Sequence, residues 1–220
     1  MFQYDLFDLD WTLTDPKTGI TSCVQYALAD AGIEELDLDK LEPFIGPPLT
    51  DSFREFYGFD DEQIKRAIDK YHERFDEKGI FENEIIEGIP ELLKALKDAG
   101  RRVSIASSKP RPLVIRILEH FEIAQYFDTV VGSEFDGRFA TKEAVVEEAL
   151  KQLVPSVYEK EDVAMVGDRK FDIQGARAHG LTGIGVSFGY AGEHELEDAG
   201  ADYIVDTVEE LQRLLLQGSL

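Results

Sequence analysis

The chain has 220 residues, 43% of them hydrophobic, and a formal net charge of −22. That length and apolar content suit one domain with an insertion or two small domains. The acidity argues against a nucleic-acid polymer or an anionic membrane as partner, because both would be repelled. A small phosphorylated molecule stays compatible, since a metal and a few basic side chains can set the local field.

The single cysteine, Cys23, permits no disulfide within the chain. The N-terminal Met1-Phe2-Gln3-Tyr4-Asp5 has neither a basic region nor a long apolar run, so it does not read as a signal peptide, and no stretch approaches a membrane span. The expectation is a cytoplasmic protein.

In chain order, Tyr4-Asp5-Leu6-Phe7 is an apolar run of strand length. Residues 16–84 then change character. Helices are expected over 21–31, 38–44, 49–57 and 60–78, with Gly32, Gly58 and Gly79 as breakers and no strand-like run between them. From residue 85 the pattern alternates. Strands are expected at 102–106, 129–131, 163–166, 183–186 and 203–205, and helices at 90–99, 113–121, 141–153, 171–179 and 208–216. Alternation of this kind argues for a parallel sheet covered on both faces. The fold class is therefore α/β, a Rossmann-like parallel core over residues 1–15 and 85–220, with an α-helical domain inserted at 16–84.

The chemistry-bearing residues gather at the strand ends. Asp8 and Asp10 follow the first strand, two residues apart and so able to face one side. Ser107, Ser108 and Lys109 follow the second core strand. Lys142 opens the helix after the third. Gly167-Asp168-Arg169-Lys170-Phe171-Asp172 follows the fourth. In a parallel sheet these ends share one edge, where ligands bind. Each piece alone also reads as a solvated turn, a helix cap or a surface lysine. Together they form a set that closes chemically. Carboxylates without His or Cys select a hard cation, Mg²⁺ above others. A hydroxyl and a lysine can bind phosphate oxygens. One aspartate can attack phosphorus and a second can move the proton.

The motifs Asp8-Leu9-Asp10-Trp11-Thr12, Ser107-Ser108-Lys109-Pro110, Lys142 and Gly167-Asp168-Arg169-Lys170-Phe171-Asp172 resemble, in order, those of haloacid dehalogenase superfamily phosphatases. The insert resembles their small helical cap. Phe44-Ile45-Gly46-Pro47-Pro48-Leu49 and Gly137-Arg138-Phe139-Ala140-Thr141-Lys142 resemble the phosphoglycolate phosphatase and 5′-nucleotidase-like branch. The resemblance implies Asp8 as nucleophile and metal ligand. It implies Asp10 as general acid/base that also gives its backbone carbonyl to the metal. Ser107, Ser108 and Lys142 would bind phosphate, and Asp168 and Asp172 would bind Mg²⁺. The position after Asp10 departs from the pattern: the family usually has glycine there and this chain has Trp11. Trp11, Gly46, Pro47 and Arg54 are candidates for a substrate gate.

The implied activity is hydrolysis of small phosphate monoesters, of phosphoglycolate or nucleoside monophosphate type. A sugar-phosphate mutase or a pyrophosphatase of the same fold is the alternative. A dehalogenase would not need Asp10. A phospho-receiver module would carry its acceptor on a later strand without a helical insert, and a catalytically silent binding protein would not need the full acid set. Oligomeric state is not readable from these residues.

Overall fold

The computed structural model describes residues 2–45, 47–154 and 157–218. Two compact units emerge, one from Met1–Thr14 and Ile85–Leu220, the other from Asp15–Glu84.

The first unit is a six-stranded sheet. Its strands are β1 (Tyr4–Phe7), β4 (Arg102–Pro110), β5 (Thr129–Ser133), β6 (Val163–Gly167), β7 (Thr182–Val186) and β8 (Tyr203–Val205), in the order β5-β4-β1-β6-β7-β8. All neighbours are parallel. The helices are α4 (Ile89–Asp98), α5 (Arg111–His120), α6 (Lys142–Leu153), α7 (Lys170–Ala178), α8 (Glu195–Ala199) and α9 (Val208–Gln217). Right-handed crossovers put α4 and α5 on one face and α6 and α7 on the other. The chain runs outward from β1 through β4 to β5, then returns to β6 on the other side of β1. Strand order therefore reverses at β1 and β6, and the crevice at such a switch point lies beyond their carboxyl ends.

Alternation along the strands decides what enters that crevice. Leu6, Ala106, Val131 and Met165 pack with Val145, Val146, Ala149, Leu150 and Leu153 of α6 in one buried cluster. Asp8, two residues beyond Leu6, keeps the same side. Because α6 follows β5 and α7 follows β6, both helices start at the carboxyl edge. Lys142 is the first residue of α6 and Asp172 lies in the first turn of α7, so both arrive on the side of Asp8. At the other end of β1, the fully buried Asp5 pairs with Arg101, whose Nη1 donates to the carbonyl of Leu215 at 2.7 Å. That contact ties β1 and the start of β4 to α9.

The second unit contains α1 (Lys17–Asp30), α2 (Leu49–Tyr57), α3 (Asp61–Phe75) and two short 3₁₀ helices, Leu38–Phe44 and Gly79–Phe81. α3 opens with a reciprocal cap: Asp60 accepts from the amides of Glu62 and Gln63, and Gln63 accepts from the amide of Asp60. Phe44, Phe53 and Phe59 interlock in its core. Cys23 is buried there, and burial pushes its thiol up to about 11, against a bond from Arg74. α1 begins a turn earlier than expected. Thr21, read as its start, lies inside it with its hydroxyl donating to the Lys17 carbonyl at 2.8 Å. Thr14–Asp15 (β2) and Glu84–Ile85 (β3) form a two-stranded sheet of their own.

β4 also runs longer than expected. Ser107, Ser108 and Lys109 remain extended, because pairing with β5 continues past Ala106, through Ser107 opposite Gly132 to Pro110 opposite Ser133, with a register shift between. Among the described residues no helix is long and apolar enough to cross a membrane.

Candidate active site

The loop after β1 is folded tightly on itself. The Asp8 amide donates to the Val166 carbonyl at 2.9 Å, extending the ladder by one residue. The Leu9 carbonyl then accepts from Thr12, Leu13 and Thr14 at 3.3, 2.9 and 3.2 Å, and the Trp11 amide donates to the Thr14 carbonyl at 2.6 Å. This turn needs a left-handed residue, and Trp11 adopts φ 60°. Glycine would do so without steric cost, whereas a bulky side chain held there costs roughly 1–2 kcal/mol.

Three carboxylates meet beyond the switch point. Oxygens of Asp8, Asp168 and Asp172 lie within 4.8 Å of one another. Lys142 Nζ sits among them, 2.9 Å from Asp8 Oδ1, 2.8 Å from Asp172 Oδ1 and 3.0 Å from the Ala106 carbonyl, to which it donates. Backbone amides fix each acid. Leu9 donates to Asp8 Oδ1 at 2.8 Å, Arg169 to Asp172 Oδ2 at 3.0 Å, and Tyr190 to Asp168 Oδ2 at 2.8 Å. Two glycines make the approach possible. A Cβ on Gly167 would stand 2.1 Å from Asp172 Cγ, and one on Gly189 would stand 2.2 Å from Asp168 Cβ.

The electrostatics follow from three acids and one cation in a buried volume. Burial pushes Asp168 up to about 8, helped by the charges of Asp172 and Asp8 and opposed by the Tyr190 amide. Burial also raises Asp172, with Lys142 opposing and Asp8 adding. Burial works against the charge of Lys142, but Asp172 and Asp8 outweigh it and raise its pKa. A divalent cation would relieve what one lysine leaves unbalanced. The donor set fits Mg²⁺: it is all oxygen, like-charged and amide-braced.

Asp10 stands apart from the three-carboxylate group. Its Oδ2 takes Lys109 Nζ at 2.5 Å, while its Oδ1 is buried without a partner. Trp11 Nε1 and Thr12 Oγ1 are likewise buried and unpartnered. Ser107 is buried at the end of β4, its hydroxyl accepting from the Lys109 amide at 3.3 Å. Ser108 is exposed, and its carbonyl accepts from Ser133. Trp11 packs its ring on Tyr190, with centroids 4.1 Å apart. In the helical unit, Pro47 is exposed, Arg54 is exposed in an ion pair with Asp61 at 2.6 Å, and Gly46 lies outside the described residues.

Sequence reasoning placed Lys109 at the strand end without a role, and it turns out to hold Asp10. It missed Tyr190 altogether. The only signal was Gly189 beside it, which permits the close approach to Asp168. It also missed Glu195, which pairs with Arg169 at 2.9 Å and accepts from the amides of Lys170 and Gly192. Burial opposes its charge, but Arg169 and these amides outweigh it and hold the carboxyl down at about 2. That brace fastens the loop carrying Tyr190 to the start of α7.

Residues 6–186 match the family model described as haloacid dehalogenase-like hydrolase. A 5′-nucleotidase of Pseudomonas aeruginosa is 45% identical over 192 residues, which span 87% of this chain and 85% of that one. The tyrosine-protein kinase PtkA of Mycobacterium tuberculosis is 37% identical over 97% of this chain and 72% of its own. A crystal structure described as a predicted phosphatase, from Clostridium acetobutylicum, superposes with a TM-score of 0.87 at 45% identity, covering 99% of each chain.

Proposed function

The chain belongs to the haloacid dehalogenase-like hydrolase family, and within it we propose that the protein is a Mg²⁺-dependent phosphatase of small phosphate monoesters that works through an aspartyl-phosphate on Asp8. The observation that carries this reading is the convergence of Asp8, Asp168 and Asp172 at the switch point, with Lys142 paired to Asp8 and Asp172. Substrates of nucleoside monophosphate or phosphoglycolate type fit a site of this kind, and the 45% identical relative is a 5′-nucleotidase. The helical unit is proposed to act as the cap that decides what enters, with Pro47 and Arg54 as candidate contacts.

Asp8, Asp168 and Asp172 would hold the metal, which supplies charge neutralisation on the phosphoryl oxygens when bound. The Leu9 amide and Lys142 fix the rotation of the Asp8 carboxylate through Oδ1, which presents Oδ2 to phosphorus. Attack forms the Asp8–phosphorus bond and breaks the ester bond. The leaving oxygen takes its proton from Asp10, whose Oδ1 is the atom Lys109 leaves open. Water then attacks phosphorus, Asp10 takes the proton back, and phosphate leaves Asp8. Ser107 would bind a phosphoryl oxygen, and Lys142, held by Asp8, Asp172 and the Ala106 carbonyl, would supply positive charge beside it.

Asp10 should matter most for poor leaving groups. Asp10→Asn should lose about 10²–10⁴-fold on an alkyl phosphate and clearly less on an activated aryl phosphate, which departs without a proton. Equal losses on both would show that Asp10 is not the acid.

Metal binding has a pH signature. Asp168 titrates near 8 in the folded chain against an ordinary 3.8. The native state therefore holds a proton that the unfolded chain has released, and stability falls as pH rises between these values. A cation must displace that proton, so it binds more tightly as pH rises. Mg²⁺ should raise the unfolding midpoint, and by more at pH 8 than at pH 6. A midpoint indifferent to Mg²⁺ at both values would remove the metal from the proposal.

A further inference from the structure

We infer that Trp11 and Tyr190 form an aromatic platform beside the nucleophile, on which the planar ring of an organic phosphate monoester stacks while its phosphoryl group occupies the Asp8 site. This rests on the phosphatase reading and narrows its substrate class. Monoesters whose alcohol carries a flat, uncharged ring are favoured over small acidic ones such as phosphoglycolate.

The placement of the two rings comes from backbone, not from side-chain reach. Trp11 directly follows Asp10 in the turn that carries Asp8, and its amide is locked to Thr14. Tyr190 is held by its own amide to Asp168 Oδ2, and its loop is fastened by Glu195 to the start of α7. Each ring is thus registered with one arm of the carboxylate cluster. The rings meet at 4.1 Å with a 41° tilt, and both residues are only half-buried. Part of each residue thus stays accessible outside the contact between the rings, and aromatic surfaces prefer offset or edge contacts.

The backbone of Trp11 adds a second, independent observation. A tryptophan is kept at φ 60°, where it is strained. Strain at a site is retained where the side chain does something the unstrained residue could not. Trp11 Nε1 is a buried donor without a partner, and in sequence it lies between the likewise unpartnered Asp10 Oδ1 and Thr12 Oγ1. Charge points the same way. The chain carries −22 overall, and the Lys109 beside Asp10 is already paired with it. A second anionic group on the substrate would be repelled, whereas an uncharged ring gains affinity by stacking.

Trp11 is the only tryptophan of the chain, so its fluorescence reports on the platform directly. The probes are 2-phenylethylphosphonate and 2-cyclohexylethylphosphonate, which differ in ring planarity and resist hydrolysis at the carbon–phosphorus bond. With Mg²⁺ present, the phenyl compound should perturb the emission and bind about tenfold more tightly, the size expected for one stacked ring. By calorimetry the gap should close in Trp11→Leu and Tyr190→Leu and persist in Tyr190→Phe. In turnover, a nucleoside 5′-monophosphate should exceed ribose 5-phosphate, which has the same leaving oxygen, by a similar factor in kcat/KM, and Trp11→Leu should erase the difference. Equal affinity for the two phosphonates, or an unchanged gap in folded Trp11→Leu, overturns the platform. If that variant does not fold, Tyr190→Leu decides by the same criterion. A chain that hydrolyses no ester yet keeps the phenyl preference would refute the phosphatase reading and leave the platform standing. Hydrolysis without the preference would refute the platform alone.

Discussion

Replacing Asp8 by asparagine is expected to abolish turnover, by at least about 10⁴-fold as for other lost nucleophiles, with the fold intact. An amide oxygen is too weak a nucleophile to displace an alkoxide from phosphorus, so the proposed aspartyl-phosphate step would have no substitute. The structural cost is small for reasons visible in the site. Asparagine keeps an oxygen for the Leu9 amide and for Lys142, which also retains Asp172 at 2.8 Å and the Ala106 carbonyl at 3.0 Å. One of three crowded negative charges disappears, which relieves repulsion on Asp168 and Asp172. The unfolding midpoint should therefore hold or rise slightly. Steady-state turnover and a thermal melt check both halves. A variant that turns over like the wild type would place the nucleophile elsewhere.

The parallel core and its edge of acids were legible because two periodicities coincide there. Alternating apolar runs identify the strands, and helices of the right length between them leave a parallel sheet as the only short-loop solution. Once the sheet is parallel, Asp8, Ser107, Lys142 and Asp168 must share an edge. Asp172 follows from Asp168 by one helical turn. What stayed hidden depends on contacts that carry no local pattern. The Lys109–Asp10 pair joins residues 99 positions apart, and nothing in either neighbourhood names the other. Tyr190 acts through its backbone amide, and an amide has no side-chain identity to read. The β2–β3 pair has two residues per strand, too few for alternation to show. The extension of β4 past Ala106 is set by its neighbour β5, so residues that look like a helix cap were pulled into the sheet. Trp11 was visible as a departure from glycine. Its left-handed backbone and the ring it meets belong to the folded turn.

Lys142→Met should cost both activity and stability, and its pH dependence identifies the cause. Lys142 is 6% exposed and pairs with two of three carboxylates that share one small volume. Methionine fills most of the same space but removes the charge. Leaving buried carboxylates without their partner costs about 3–5 kcal/mol near neutral pH. The acids can escape part of this by binding protons. Their folded-state pKa values, already raised for Asp168 and Asp172, should climb further above the ordinary carboxylate value. The variant's native state then binds more protons than its unfolded state over a wider range, so its stability falls more steeply as pH rises. The gap to wild type should be small at pH 5 and largest at pH 8. Turnover should drop by about 10²–10³-fold, as when a preorganised charge is taken from a developing anion, because the lysine's share of the charge that offsets nucleophile and phosphate is then lost. Denaturant titrations at pH 5, 6.5 and 8 measure the stability arm. A gap that does not change with pH would mean that the lysine acts through packing of its aliphatic stem, and the electrostatic account of the site would have to be given up.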